Sequence, residues 1–352
     1  MGRGSVYKNL FQQIVSSENL FAAWDEFRVD KRHKKDVQAF EFKLEQNLFQ
    51  LHRDLATKQY KHQPYTGFYI RDPKVRHIHK ATARDRVLHH AVFRILNPIF
   101  DKTFIPTSFS CRIGKGVHKG VLEMERMIRA ESRNFTRPCF ALKCDVKKFF
   151  DTVDHQILLS VLCKKIADPD TIWLLREIVE SFVINQTNLF DRQGLPIGNL
   201  TSQLFANIYM NEFDQSVKQE LRLQHYARYT DDFVIISTKR QKLEELIDPL
   251  RTLLQTKLKL NLHPKKISIR ACHQGIDFLG YVSLPYHRLM RAKTRKRIFR
   301  KLKARISQYR SGAINEKTLS QSLQSYLGVL SHANTHQLSQ DLQNQYWFWL
   351  HE

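Results

Sequence analysis

No window of this 352-residue chain approaches the roughly 20 consecutive apolar residues that a membrane-spanning helix requires. The N-terminal stretch MGRGSVYKNLFQQIV lacks the apolar segment and cleavage site of a secretory leader, so a cytoplasmic location is the expectation. Cysteine is scarce. Cys111, Cys139, Cys144, Cys163 and Cys272 form an odd set without a CxxC pair, which argues against a disulfide framework or a cysteine zinc site. They read as buried small hydrophobes in a reducing compartment. Neither a repeat nor a low-complexity linker is visible, so the parts should pack closely. Acidic residues are also few, 34 against 57 Lys and Arg, for a formal net charge of +23. That imbalance favours a polyanion. Nucleic acid fits better than an acidic membrane surface, because no basic amphipathic terminal helix stands out.

What is present suits a globular protein: 42% of the residues are apolar, with 23 Phe, 12 Tyr and 4 Trp. Residues 1–60 carry apolar positions at helical spacing, among them Phe40, Phe42, Leu44, Leu48, Phe49, Leu51 and Leu55. Residues 61–80 look extended and basic. Val87, Val92, Ile95 and Leu96 predict a second helical stretch, stopped by Pro98, with His89-His90 as a pair on its surface. Between 139 and 285 short strand-like runs alternate with helical segments near 153–163, 170–182, 200–220 and 240–257, which predicts an α+β sheet domain with helices on one face. Residues 286–310 hold eleven Lys and Arg and no acid, with Leu289, Ile298, Leu302 and Ile306 as a thin apolar stripe. Short helices around SYLGVLSHANT and the aromatic run YWFWL close the chain.

Chemistry concentrates in three carboxylates. Tyr226, Arg228 and Tyr229 lead into Asp231-Asp232 and the apolar Phe233–Ile236 lead out, so that two strands meeting at a tight turn would place both acids at the tip. Like charges so close repel unless a cation lies between them. In the run Phe140–Asp145, alternation puts Phe140, Leu142 and Cys144 on one face and Ala141, Lys143 and Asp145 on the other. Were this strand beside the Tyr229 hairpin, three hard oxygen donors would converge, a set suited to two Mg²⁺ ions ~4 Å apart, with Mn²⁺ as a substitute.

These residues resemble a known family. Tyr229-Thr230-Asp231-Asp232 resembles the YxDD box of reverse transcriptases, and LKCDVKKFFDTVDH resembles their first catalytic aspartate motif. In the same order PKVRHIHKATARDRV resembles the fingers motif, SFSCRIGKGVHKG the turn that follows it, GIDFLGYV the primer grip and SYLGVL the bacterial thumb. The resemblance covers roughly residues 70–330 and implies a right-hand polymerase. Its expected parts are an N-terminal helical extension and fingers over 1–138, a palm over 139–285, and a helical thumb and tail over 286–352. It further implies Asp145, Asp231, Asp232 and the Val146 carbonyl as metal ligands, Lys74 and Arg76 as a triphosphate clamp, Phe150 as a steric gate against a 2′-hydroxyl, and Lys265, with Lys266 as its rival, facing the triphosphate.

One segment departs from the common pattern. Most of the family carry QGxxxSP, whereas this chain has Ile197-Gly198-Asn199-Leu200-Thr201-Ser202-Gln203. That sequence resembles the reverse transcriptases of diversity-generating retroelements, bacterial or phage-encoded enzymes that copy template RNA into cDNA with errors at adenines. Ile197, Gly198 and Gln203 would then line the nucleotide site, with Ile197 offering only van der Waals contact where a Gln could hydrogen-bond the sugar. Arg291, Lys293, Arg295, Lys296, Arg297, Arg300 and Lys301 would lie along an RNA/DNA duplex. The expected partners are template RNA, dNTPs and a pentameric basic accessory protein. Alternatives are a group II intron, retron or antiphage enzyme, the intron type weighed down by a short region after the thumb, and a silent RNA-binding scaffold.

Overall fold

A computed structural model describes residues 6–72, 74–184 and 192–352. The N-terminal MGRGS and Pro73, the first residue of the PKVRHIHK stretch, lie outside them. Four helices, Leu10–Val15, Ser17–Arg28, Lys35–Phe42 and Leu44–Ala56, follow the early 3.6-residue spacing. A break at Lys43 shifts the apolar stripe, so Phe40, Leu48, Leu51 and Leu55 are buried while Phe42 and Phe49 face out.

Strands β1 (Thr66–Ile70) and β2 (Arg76–Lys80) then form an antiparallel hairpin. Helix Ala83–Asp101 follows, its start fixed by a reciprocal cap in which Asp85 N–H donates to Thr82 Oγ1 and Thr82 Oγ1 to Asp85 Oδ2. Pro98 does not stop this helix as expected. It sits in the last turn, where its missing N–H forfeits one hydrogen bond and the helix runs on to Asp101. His89 and His90 also turn inward, against expectation: His89 is fully buried with its Nε2 3.2 Å from His62 Nε2, and His90 packs on Phe27.

The central sheet joins β3 (Phe140–Asp145), β4 (Tyr226–Tyr229), β5 (Asp232–Ser237) and β6 (Ser268–Ala271) in the order β4-β5-β3-β6, antiparallel throughout. Period-two alternation divides its side chains. Leu142, Cys144, Tyr226, Phe233 and Ile235 enter one large core with helices His155–Cys163, Leu200–Gln219 and Ile247–Leu258, a core that also takes in the N-terminal helices. Ala141, Ala227, Val234 and Ile236 face the other way and pack with Met124, Met127 and Ile128 of helix Val117–Glu131. The expected one-sided helix packing is thus extended by one helix on the second face. Cys139, Cys144 and Cys272 are buried as expected, whereas Cys111 and Cys163 are exposed.

A small sheet, β7 (Ile276–Phe278), β8 (Tyr281–Ser283) and β9 (Arg288–Met290), leads out of the palm-like region. Leu289 therefore lies on a strand and is exposed, and does not join the stripe expected of it. The basic helix begins only at Ala292 and runs to Arg310, burying Ile298, Leu302 and Ile306. Its partners are helices Glu316–Leu330 and His336–His351, longer than the short helices expected, which supply Leu319, Leu330, Leu342 and Tyr346 to a separate core. No described helix is long and apolar enough to cross a membrane.

Candidate active site

The three carboxylates meet because of strand register. Asp145, the last residue of β3, lies opposite Asp232, the first of β5, while Tyr229 pairs with Asp232 across β4 and β5. Thr230 and Asp231 alone therefore make the turn. Backbone bonds pin the site from two sides: Val146 N–H donates to the Asp231 carbonyl at 3.1 Å, and His263 N–H donates to the Asp145 carbonyl at 2.8 Å.

Burial makes this cluster electrostatically expensive. The Asp231 carboxyl is pushed up to about 6, first by burial and then by the neighbouring charges of Asp145 and Asp232. Asp232 is also raised by burial, with Lys143 opposing. Two lysines answer the negative charge: Lys266 Nζ lies 2.7 Å from Asp145 Oδ1 and Lys143 Nζ 3.5 Å from Asp232 Oδ2. Asp232 Oδ1 is buried without a hydrogen-bond partner. Among the described residues no three acidic, His or Cys side chains are gathered as a ready metal cage. Lys266 and Lys143 occupy the carboxylate oxygens of Asp145 and Asp232 that face them. An orphaned carboxylate oxygen and a raised pKa still fit a hard divalent cation, with Asp145, Asp231, Asp232 and the Val146 carbonyl as the donors that would hold it.

Around this point the candidate nucleotide residues divide. Phe150 is half-buried in the short helix Phe149–Thr152, edge-on to the buried Phe149, with its carbonyl accepting Leu195 N–H at 2.7 Å. The turn Pro264–Lys266 presents two lysines, and Lys266 is the one that reaches the carboxylates. Ile197 docks on β2, its carbonyl accepting His79 N–H at 3.1 Å. Gly198 is held at φ 115, and a Cβ there would stand 2.9 Å from Ile78 Cγ2, so a side chain is refused twice over. Gln203 is exposed and opens with Gly198 into a cleft shared with Phe68, Ile78 and Lys80. Lys74 and Arg76 are exposed at the hairpin tip, and Lys74 shares a second cleft with Asp72, Arg291, Lys293, Lys296 and Arg297.

The basic helix is not uniformly free. Arg291 donates to Asp277 at 2.8 Å, and Arg300 and Lys301 lie 3.4 and 2.7 Å from Asp72 of the hairpin loop. Arg288, just before the helix, is taken up by Glu125. Among the described residues Lys293, Arg295, Lys296 and Arg297 make no ion pair. Sequence reasoning treated Arg228 as a mere flank of the acidic turn, and it missed the buried pair that Arg228 forms with Asp214. A charged residue in the middle of an otherwise apolar strand was the available signal.

Known proteins match these elements. The family Reverse transcriptase (RNA-dependent DNA polymerase) matches residues 61–283. Protein YkfC of Escherichia coli (strain K12) is 28% identical over 304 residues, 76% of this chain and 76% of its own. Group II intron-encoded protein LtrA of Lactococcus lactis subsp. cremoris is 23% identical over 303 residues, 67% of this chain and 49% of its own. A structure of telomerase from Candida albicans aligns with a TM-score of 0.52 and 13% identity, over 84% of this chain and 56% of that one. The chain thus spans about half the length of the intron protein and of the telomerase chain. The structural likeness shows a right-hand polymerase fold of fingers, palm and thumb.

Proposed function

The chain belongs to the reverse transcriptase family, and on that ground we propose that it is an RNA-directed DNA polymerase of a diversity-generating retroelement. The observation that carries the polymerase is the register that sets Asp145 opposite Asp232 beside the Asp231 turn. Two Mg²⁺ ions, when bound there, supply a lowered pKa for the primer 3′-hydroxyl and neutralise charge on the departing pyrophosphate. The chain's own groups do the rest. Lys266, which reaches Asp145, meets the triphosphate, and Lys74 and Arg76 at the hairpin tip clamp the phosphates. Phe150, half-buried in the short helix Phe149–Thr152, rejects a 2′-hydroxyl. Lys293, Arg295, Lys296 and Arg297 track the duplex backbone.

The diversity-generating assignment rests on Ile197-Gly198 and Ser202-Gln203. Ile197 is fixed through its backbone on β2 and offers the nucleotide no side-chain hydrogen bond. A site without that polar contact discriminates less against a misplaced nucleotide. On this reading the enzyme works with a pentameric basic accessory protein and makes cDNA with errors at template adenines. A second reading, an intron-type enzyme with accurate synthesis, is favoured by the likeness to the intron-encoded protein.

Sequencing the DNA made on an RNA template, with and without the accessory protein, separates the two. Errors concentrated opposite template adenines, reduced by Ile197→Gln, support the first. Accurate DNA, or an error spectrum indifferent to Ile197→Gln, contradicts it and leaves the polymerase.

A further inference from the structure

Beneath the catalytic turn lies a charge pair that touches none of the reacting groups. Arg228 and Asp214 are both wholly buried. Arg228 Nε donates to Asp214 Oδ1 at 2.8 Å and Nη2 to Oδ2 at 2.6 Å, a bidentate fork, and Tyr226 donates its hydroxyl to the same Oδ1 at 2.6 Å. The other guanidinium donors point toward the site. Nη1 donates to the Thr230 carbonyl at 2.9 Å, and Nη2 to Ser108 Oγ at 3.1 Å.

Thr230 needs that support. It is held at φ 55, a region that β-branched residues avoid. Its Oγ1 donates to Ser110 Oγ at 2.6 Å. Ser108 and Ser110 belong to the SFSCRIGKG stretch, which runs beside β4: Arg228 N–H donates to the Thr107 carbonyl and Phe109 N–H to the Arg228 carbonyl. The turn is therefore gripped from below by a charge and from the side by a hydroxyl. A buried ion pair adds little net stability over well-packed apolar side chains, so its presence here calls for another reason.

We propose that Arg228, oriented by Asp214, is a positioning residue for the catalytic turn. It fixes the Thr230 carbonyl, keeps the strained turn in one conformation, and so sets Asp231 relative to Asp145 and Asp232 and with it the affinity for divalent cation. The inference rests on the polymerase reading above, and deepens it.

The test compares wild type, Arg228→Lys and Ser110→Ala, with thermal unfolding recorded for each. Mn²⁺ binding is followed by electron paramagnetic resonance in the presence of an RNA/DNA template–primer, and the Mg²⁺ midpoint of primer extension is measured in parallel. The expected result is a cation affinity weakened about tenfold in Arg228→Lys, the lower end of what is lost when groups behind metal ligands are removed, and weakened less in Ser110→Ala, whose hydroxyl holds Thr230 alone. Template–primer affinity stays at the wild-type value. Cation affinity equal to wild type in folded variants overturns the proposal. Should Arg228→Lys fail to fold, Ser110→Ala, which removes one hydroxyl, decides alone. A wild type that makes no DNA defeats the polymerase reading instead, and the Mn²⁺ arm still judges the positioning role.

Discussion

Asp145 stands directly opposite Asp232 on the neighbouring antiparallel strand, and this single register brings two distant sequence segments into one site. Apart from an ion pair with the exposed Lys266, the Asp145 carboxylate has no described structural partner, and its backbone is held by His263 whatever the side chain. Asp145→Ala or Asp232→Ala should therefore leave the fold intact and lower primer extension by ~10³-fold or more, the loss of several kcal/mol of charge stabilisation at the transition state. Far-ultraviolet circular dichroism beside a primer-extension time course checks both halves.

Lys266 and Lys265 are adjacent and both exposed, yet only Lys266 Nζ reaches Asp145. Lys266→Ala should lower the extension rate by ~10-fold or more, and Lys265→Ala should change it little. Single-turnover rates at saturating dNTP separate the two, and the reverse order would contradict the placement.

Much of this site was legible in the sequence because short-range chemistry encoded it. Alternation along Phe140–Asp145 gave the correct face for Phe140, Leu142 and Cys144 on one side and Ala141 on the other, and the Asp-Asp pair between apolar runs marked a hairpin tip. Pairing of β3 with β5 was a conditional in the sequence, since strand register over some 90 residues is set by the whole core. The N-terminal break at Lys43, the inward turn of His89 and the strand at Leu289 were not legible. The last two depend on what a neighbouring element offers: His62 for His89, and β8 for Leu289. Lys265 against Lys266 was undecidable for the same reason, because a single turn of backbone chooses between them.

The cations around the basic helix should divide by their partners. Lys296→Ala and Arg297→Ala, which remove cations without an ion pair among the described residues, should each flatten the dependence of log affinity on log salt by ~0.7–0.9 for template–primer. Arg288→Ala should leave that slope unchanged, because Arg288 is committed to Glu125. Fluorescence anisotropy across a salt series reads this directly.

Acid should loosen the N-terminal helices. Burial lowers His62 and lowers His89 well below the usual range, and it pushes His90 down to about 4, helped by Lys31, Arg86 and Arg94 and opposed by the nearby Glu26. The unfolded chain takes up these protons near pH 6.5 while the folded chain does not. The stability they represent is thus intact above pH 6.5 and is lost as pH falls toward 4, by roughly 3 kcal/mol for His90 at most. Thermal unfolding of wild type should fall more steeply between pH 7 and 5 than that of His90→Gln; parallel slopes would contradict the assignment.

The most direct measurement is single-turnover primer extension on an RNA template with Mg²⁺ and dNTPs, for wild type and Asp231→Ala, with RNA affinity measured on the same preparations. DNA from wild type and none from Asp231→Ala at equal RNA affinity is the expected result. Failure of wild type to extend, with RNA still bound by both, would contradict polymerase function and leave a nucleic-acid-binding scaffold.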